Sequence, residues 1–309
     1  MEIGLLGPLL VSFEGRQVQL TAAKQRTLLA LLVLHAGQLV LTDSIVDELW
    51  GEAPCLSAAA TVRTYIFQIR KVIGRLLNGS RSDPQEILRA APGGYVLQTP
   101  GTVSDADRYE KSVAAGREAL ASGDYAAAGL RFEKALGLWR GSALMDVRTG
   151  SRLQAAAQRL EDSRLIVLEH RVDADLRLGR HRELLGELAG LCVDHPLHEG
   201  LHAQYMLALH RSDRRSDALA VYRRLRAAMI ERLGLEPAAR VQSLQQEILR
   251  TAVPADVPEL TALLHAQSRT IGELTSRIAE IESRLGMELP RTRLASVPAR
   301  QESGDRHAR

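Results

Sequence analysis

Ser57-Ala58-Ala59-Ala60-Thr61-Val62-Arg63-Thr64-Tyr65-Ile66-Phe67-Gln68-Ile69-Arg70-Lys71-Val72-Ile73-Gly74-Arg75-Leu76 is the stretch that decides the fold. At about 100° per residue, Val62, Ile66, Ile69, Ile73 and Leu76 gather on one stripe, each three or four positions from the last. The spacing predicts an amphipathic helix whose stripe faces a core. Ala60, Thr64, Phe67, Gln68, Lys71 and Arg75 lie opposite, and Arg63 and Arg70 flank the stripe. From Ser57 to Ser82 there is no acid, while five basic residues occur: Arg63, Arg70, Lys71, Arg75 and Arg81. Such a helix suits the major groove of duplex DNA. Its cations reach phosphates on both sides without acidic repulsion. Gln and Arg pair with base edges, and Thr and Phe touch thymine methyls. The competing reading is an ordinary amphipathic helix with a solvated basic face. Phe67 fits that reading poorly, because it would stand in water without a partner.

The sequence on either side supplies a context. Residues 3–6, 9–13 and 16–20 read as short strands, with Gly7-Pro8 and Glu14-Gly15 as turns and a hairpin at the second. Leu28, Leu31, Leu32 and His35 mark a first helix from Ala22 to Gly37. Leu39-Val40-Leu41 reads as a short extended piece. Thr42 is the expected N-cap of a second helix that runs to Trp50 and stops at Gly51 and Pro54. Ser57 is the expected cap of the third, which runs to about Asn78-Gly79. Glu86-Ile87-Leu88-Arg89 and Tyr95-Val96-Leu97-Gln98, around Ala91-Pro92-Gly93-Gly94, read as a second hairpin. Strands, three helices and a closing hairpin in this order describe a winged helix-turn-helix. The hairpin is the wing, and Arg89 is placed to enter a neighbouring minor groove. Thr61 at the start of the third helix, and Lys24 and Arg26 at the start of the first, are candidate phosphate contacts.

From Val103 to about Arg250 the sequence is helical, punctuated at Ser122-Gly123-Asp124, Arg140-Gly141-Ser142, Leu178-Gly179-Arg180, His195-Pro196, Arg211-Ser212-Asp213 and Glu236-Pro237. Helix pairs about 34 residues apart suggest a tetratricopeptide-like domain, although the opening Trp of that repeat is missing. Gly123-Asp124-Tyr125 with Ala126, Phe132 and Ala135 fits the second half of one repeat, and Ala218, Tyr222 and Pro237 echo it.

Composition narrows the function. The chain has 309 residues, 45% apolar and 25% charged, as expected of a globular protein and not of a disordered one. Its longest apolar run, Thr27 to Leu34, is far below the roughly 18 residues of a membrane span. Met1-Glu2-Ile3 carries none of the marks of a signal peptide. Cys55 and Cys192 allow neither a disulfide framework nor a four-cysteine zinc site, and the expected setting is the reducing cytoplasm, near the nucleoid. Only four of 40 basic residues are lysine, a bias better attributed to codon usage than to nucleic acid. Aromatics at 4% make base-stacking platforms for single strands implausible. Glycine-rich phosphate loops are absent, and both cysteines sit in bland surroundings. His198-Glu199-Gly200-Leu201-His202 does match the zinc-protease pattern His-Glu-x-x-His. Tyr205 and Ala208 stand where a metzincin continuation needs Gly and His, Gly200 weakens the helix, and His195-Pro196 marks a turn just before it. No catalytic residue, metal or cofactor is therefore expected.

Several strings, read together, resemble a known family. Leu49-Trp50-Gly51, Ala58 to Ile66, Ile69-Arg70-Lys71 and Gly93-Gly94-Tyr95-Val96-Leu97 resemble the OmpR/PhoB-type winged helix of the Streptomyces antibiotic regulatory protein (SARP) family. Leu138-Trp139-Arg140-Gly141, Arg159-Leu160-Glu161, residues 176–184, His195 to Glu199 and Leu233-Gly234-Leu235-Glu236-Pro237 resemble that family's bacterial transcriptional activation domain (BTAD). The resemblance covers about residues 1–250. It implies a non-enzymatic activator of a biosynthetic gene cluster that binds direct repeats in promoter DNA and recruits RNA polymerase holoenzyme. It also implies base-facing positions at Thr64 and Gln68, a phosphate contact at Arg70 and the wing arginine at Arg89. Phe67 departs from the family, which often has a cation there, and Ser142 replaces the usual proline.

Thr251 to Pro258 reads as a linker. Beyond it, Leu264, Ile271, Ile278 and Leu285 occupy heptad position a, and Leu260, Gln267, Leu274 and Ile281 position d. In a parallel pair Arg277 would face Glu282 of the second copy. The alternative is that the stripe packs back on the helical domain. The expected organisation is mainly α: a winged helix-turn-helix (1–100), a tetratricopeptide-like domain (101–251), a linker (252–258), a coiled-coil-like helix that dimerises (259–286) and a disordered tail (287–309). A homodimer or tandem binding on DNA follows from it. The rival to a DNA-binding activator is a tetratricopeptide scaffold that binds only protein.

Overall fold

The computed structural model describes residues 2–77, 83–98 and 104–250. The chain starts as an antiparallel meander of β1 (Glu2–Gly4), β2 (Leu10–Phe13) and β3 (Arg16–Val18), in the order β1-β2-β3. Ile3 and Val11 are paired across it and both face inward. α1 (Ala23–Leu34) buries every residue from Thr27 to Val33. A helix covered on all sides has other elements all round it, and α1 touches α2, α3, α7 and β6.

β4 (Leu39–Leu41) leads directly into α2 (Thr42–Trp50). Thr42 is not the cap of α2: Leu41 holds that position, and the Thr42 N–H donates to the Gly93 carbonyl at 2.9 Å. The wing turn has taken the group that a free helix start would leave open. Gly51, at a φ of +62°, ends α2 as expected. α3 (Ala58–Leu76) follows with Ser57 as its N-cap, although the Ser57 hydroxyl accepts no backbone N–H.

Expected to be strand, Glu86 and Ile87 instead belong to a helical turn, α4 (Pro84–Ile87). Asp83 accepts the Gln85 N–H at 2.8 Å, and Pro84 sits at the first helical position, where its missing N–H costs nothing. The wing proper is β5 (Leu88–Ala91) and β6 (Gly94–Leu97), turned through Pro92-Gly93. β4 pairs with β6, giving a second antiparallel sheet in the order β4-β6-β5. A side chain on Gly94 would collide with the Val40 carbonyl oxygen, so only glycine allows this approach.

The helical half opens at α5 (Asp105–Ala121) with a capping box. The Ser104 hydroxyl accepts the Asp107 N–H, and the Asp107 carboxylate accepts the Ser104 N–H. α6 (Tyr125–Leu136) is capped by Asp124, and α7 (Ser151–Arg177) is the longest helix described. α8 (Leu185–Asp194), α9 (Glu199–Arg211), α10 (Arg215–Leu233) and α11 (Ala239–Arg250) complete it. α5, α6 and α7 pack in succession around Tyr109, Phe132 and Val167, as do α8, α9 and α10 around Leu188, Met206 and Leu225. Phe132, Ala135 and Ala218, singled out as repeat positions, are fully buried.

Residues 1–248 form one compact unit. Two buried carboxylates join its halves. Asp105 accepts the N–H groups of Leu5 (2.6 Å) and Leu6 (3.1 Å) and pairs with Arg140 at 2.9 Å, while Arg140 also donates to the Pro8 carbonyl. Glu48 on α2 is only 5% exposed and accepts the N–H groups of Gly150, Arg152 and Leu153 at 2.7–3.1 Å, capping the start of α7. Leu144, Val147 and Leu153 belong to the same apolar core as the α3 stripe. The expected linker, heptad helix and tail all fall beyond residue 250, and Leu264, Ile271, Leu274, Ile278, Ile281 and Leu285 lie outside the described residues.

Candidate nucleic-acid interface

α3 turns the predicted stripe inward. Val62, Ile66, Ile69, Ile73 and Leu76 are each at most 2% exposed, in one cluster with α1 and the wing. The opposite face is open: Arg63, Thr64, Phe67, Gln68, Lys71 and Arg75 are exposed, and so is Arg89 on β5. Among the described residues, the side chains of Arg63, Lys71, Arg75 and Arg89 make no hydrogen bond or ion pair within the chain. Four cations thus stand free on a helix and the wing beside it. Arg63 lines a groove between α3 and the wing turn, together with Ala59, Gly93 and Tyr95. Phe67, Lys71 and Arg75 line a groove on the other flank. The acid at its rim, Asp83, is spent on capping α4.

Other positions are used differently. Arg70 is half-buried, and its Nε donates to the Leu88 carbonyl at 2.8 Å, tying α3 to the wing. The guanidinium still has donors left for a phosphate. Thr61 is half-buried, with both its N–H and its hydroxyl donated to the Ser57 carbonyl, which leaves the hydroxyl only its acceptor side. The Thr64 hydroxyl likewise donates to the Ala60 carbonyl at 3.2 Å, so its methyl is the apolar group it offers.

The start of α1 departs most from expectation. Lys24 lies over the Trp50 ring, 4.1 Å from its centroid, and Trp50 stacks on Tyr65. Its ammonium lines the cleft towards α2 and residues 148–151. Arg26 donates to the Leu20 carbonyl at 3.1 Å, with its Nε buried and unpaired. Gln25 on α1 reaches the open face of α3, where its amide donates to the Gln68 side-chain oxygen. Nothing in the sequence singled Gln25 out, because its partner lies 43 residues away.

The His-Glu-x-x-His string is spent on the backbone. His198 precedes α9 and caps it by accepting the Leu201 N–H, the Glu199 carboxylate accepts the Ala238 N–H, and the buried His202 ring bonds the His198 carbonyl at 3.1 Å. Burial holds the His202 pKa below the usual imidazole range, with His198 and Arg224 adding like-charge repulsion. Among the described residues no group of three or more His, Cys, Asp or Glu is placed to hold a metal, and no helix is long and apolar enough to cross a membrane.

Comparison with known proteins agrees with this geometry. Residues 15–97 match the family described as "Transcriptional regulatory protein, C terminal", and residues 104–249 match the bacterial transcriptional activator domain. The chain is 44% identical over 265 residues to the regulatory protein DnrI of Streptomyces peucetius, an alignment covering 85% of this chain and 97% of that one. It is 34% identical over 250 residues (81% of this chain) to the transcriptional regulatory protein EmbR of Mycobacterium tuberculosis, spanning 63% of it. It is 36% identical over 291 residues (91% of this chain) to the regulatory protein AfsR of Streptomyces griseus, spanning 29% of it. The structure of M. tuberculosis EmbR in complex with a low affinity phosphopeptide matches at a TM-score of 0.76 and 33% identity, over 88% of this chain and 70% of that one. With its winged helix and activator domain in one chain, the protein belongs to the Streptomyces antibiotic regulatory protein family of DNA-binding transcriptional regulators.

Proposed function

We propose that the protein activates a biosynthetic gene cluster by seating α3 in the major groove of promoter direct repeats. The wing follows into the adjacent minor groove, and RNA polymerase is recruited by the bound complex. One observation carries this reading: the free cations Arg63, Lys71, Arg75 and Arg89 surround a base-sized polar and aromatic face whose reverse side is locked into the core. Thr64, Phe67 and Gln68 supply base contacts, while Arg70 and Thr61 sit at its margins. Lys24 and Arg26 contribute less, since both are engaged within the chain.

Footprinting of the full chain on promoters of the neighbouring genes tests the reading. A protected direct repeat is expected, with affinity falling steeply as salt rises, by a slope of about −0.9 per phosphate neutralised. Arg63→Ala and Lys71→Ala should each remove about one unit of slope. Salt-independent or absent duplex binding would favour the protein-only scaffold instead. Heptad spacing supports pairing of two copies through residues 259–286. Truncation after Pro258 should then turn dimers into monomers in light scattering, and a truncated chain that still runs as a dimer would refute the pairing.

A further inference from the structure

Three neighbours on α3 set a chemical preference that no charge pattern explains. Phe67 is 67% exposed, in a helix whose isoleucines and leucine are all buried. Thr64, three positions before it, has its hydroxyl proton on the Ala60 carbonyl. Gln68, one position after Phe67 and four after Thr64, has its side-chain oxygen taken by the Gln25 amide. Its own NH2 is unengaged, and its oxygen keeps one of its two lone pairs. The face therefore combines an aromatic ring, a methyl and an amide whose free NH2 is turned outward as a donor.

The four bases meet such a face unequally. Cytosine presents an exocyclic NH2 donor and adenine an NH2 donor beside its N7 acceptor, and neither carries a methyl for the ring to cover. Guanine presents two acceptors but no apolar group. Thymine presents the O4 acceptor beside its C5 methyl. We propose that Thr64, Phe67 and Gln68 read thymine, with the Gln68 amide on O4 and the Phe67 ring and Thr64 methyl against the C5 methyl. Gln25 is the positioning residue that fixes the polarity of the amide. This rests on the assignment of α3 to the major groove.

The test uses the full chain and duplexes that it selects from a randomised pool. Each thymine of the selected site is replaced singly by deoxyuridine, which removes the methyl and nothing else. Binding is followed by fluorescence anisotropy. At one thymine or more, uracil should weaken wild-type binding by about fourfold, the value of one buried methyl. Phe67→Ala should bind the thymine and uracil duplexes alike. Gln25→Glu reverses the hydrogen bond, because a carboxylate accepts from the Gln68 NH2 and frees its oxygen. That variant should bind every duplex more weakly, while its thymine-over-adenine preference at the read position falls about fivefold or more. A merely structural Gln25 would leave that ratio alone. Uracil substitutions that all cost less than about 1.5-fold, or a penalty that persists in Phe67→Ala, would overturn the proposal while leaving groove binding intact. An unchanged affinity of Phe67→Ala for the selected duplex would assign the ring to a protein partner and overturn it as well. Failure of the pool to yield any salt-dependent duplex would overturn both readings together.

Discussion

Glu48→Ala removes a single carboxylate that three backbone N–H groups share. Leu153 is fully buried, so its N–H cannot recover a partner from water. Gly150 is half-buried, and Arg152 is exposed enough for its N–H to rehydrate. Roughly 1–2 kcal/mol for each of the first two groups, with about 0.5 kcal/mol for the lost anion at a helix N-terminus, gives about 3 kcal/mol. Set against the roughly 5–15 kcal/mol typical of a folded domain, that loss is severe. The amide introduced by Glu48→Gln would keep one oxygen for Gly150 and Leu153, which share Oε1, but would press an NH2 against the Arg152 N–H. That variant should therefore lose about half as much. A side chain at position 150 would approach the Glu48 carbonyl oxygen to 2.5 Å and its carboxyl carbon to 2.8 Å, so Gly150→Ala should weaken the same cap from the other side. Urea unfolding followed by circular dichroism measures all three, with unchanged m-values expected if only the cap is affected. Stability of Glu48→Ala within about 0.5 kcal/mol of wild type would refute the view that this carboxylate holds the α7 start.

Arg70→Lys keeps the charge but cannot hold the Leu88 carbonyl and a phosphate together; it should weaken binding to all duplexes alike, by about fivefold in anisotropy titrations. The His202 pKa is lowered by burial, so the unfolded chain takes up the proton first as pH falls. Stability should be full above the ordinary imidazole pKa and decline below it, and His202→Asn should flatten that decline in Tm measured between about pH 7.5 and 5.5. Burial pushes the Cys192 thiol up to about 12 while Cys55 is exposed, so a thiol reagent at about pH 8 should label Cys55 rapidly and Cys192 at least about a hundredfold more slowly until the chain is unfolded. Equal labelling, read by mass spectrometry, would contradict the burial of Cys192.

The parts of this molecule that were legible in its sequence are those set by short-range periodicity. Val62 to Leu76 repeats at helical spacing, so the inward stripe and the outward face of α3 followed from position alone. Glycine and Asx punctuation placed the ends of α2 and α5 for the same reason. Features that depend on distant partners were not legible. Glu48 and Asp105 are ordinary acids until the fold brings them to backbone groups about 100 positions away. Lys24 and Arg26 look like free cations at a helix start, but Trp50 and the Leu20 carbonyl engage them. Gln25, between them, has no sequence mark at all, yet it orients Gln68. Thr42 and Glu86 show the limit of local rules: a cap position was claimed by the wing carbonyl of Gly93, and the start of an expected hairpin strand was bent into a helical turn by Asp83-Pro84.

The Asp105 and Glu48 clamps fasten the winged helix to the helical half. With α3 seated in the groove as proposed, the operator's position would dictate the compass direction in which that half points from the duplex. Each base pair inserted between operator and transcription start would swing it by about 34° around the DNA axis. About five would aim it at the far side, and about ten or eleven would bring it back.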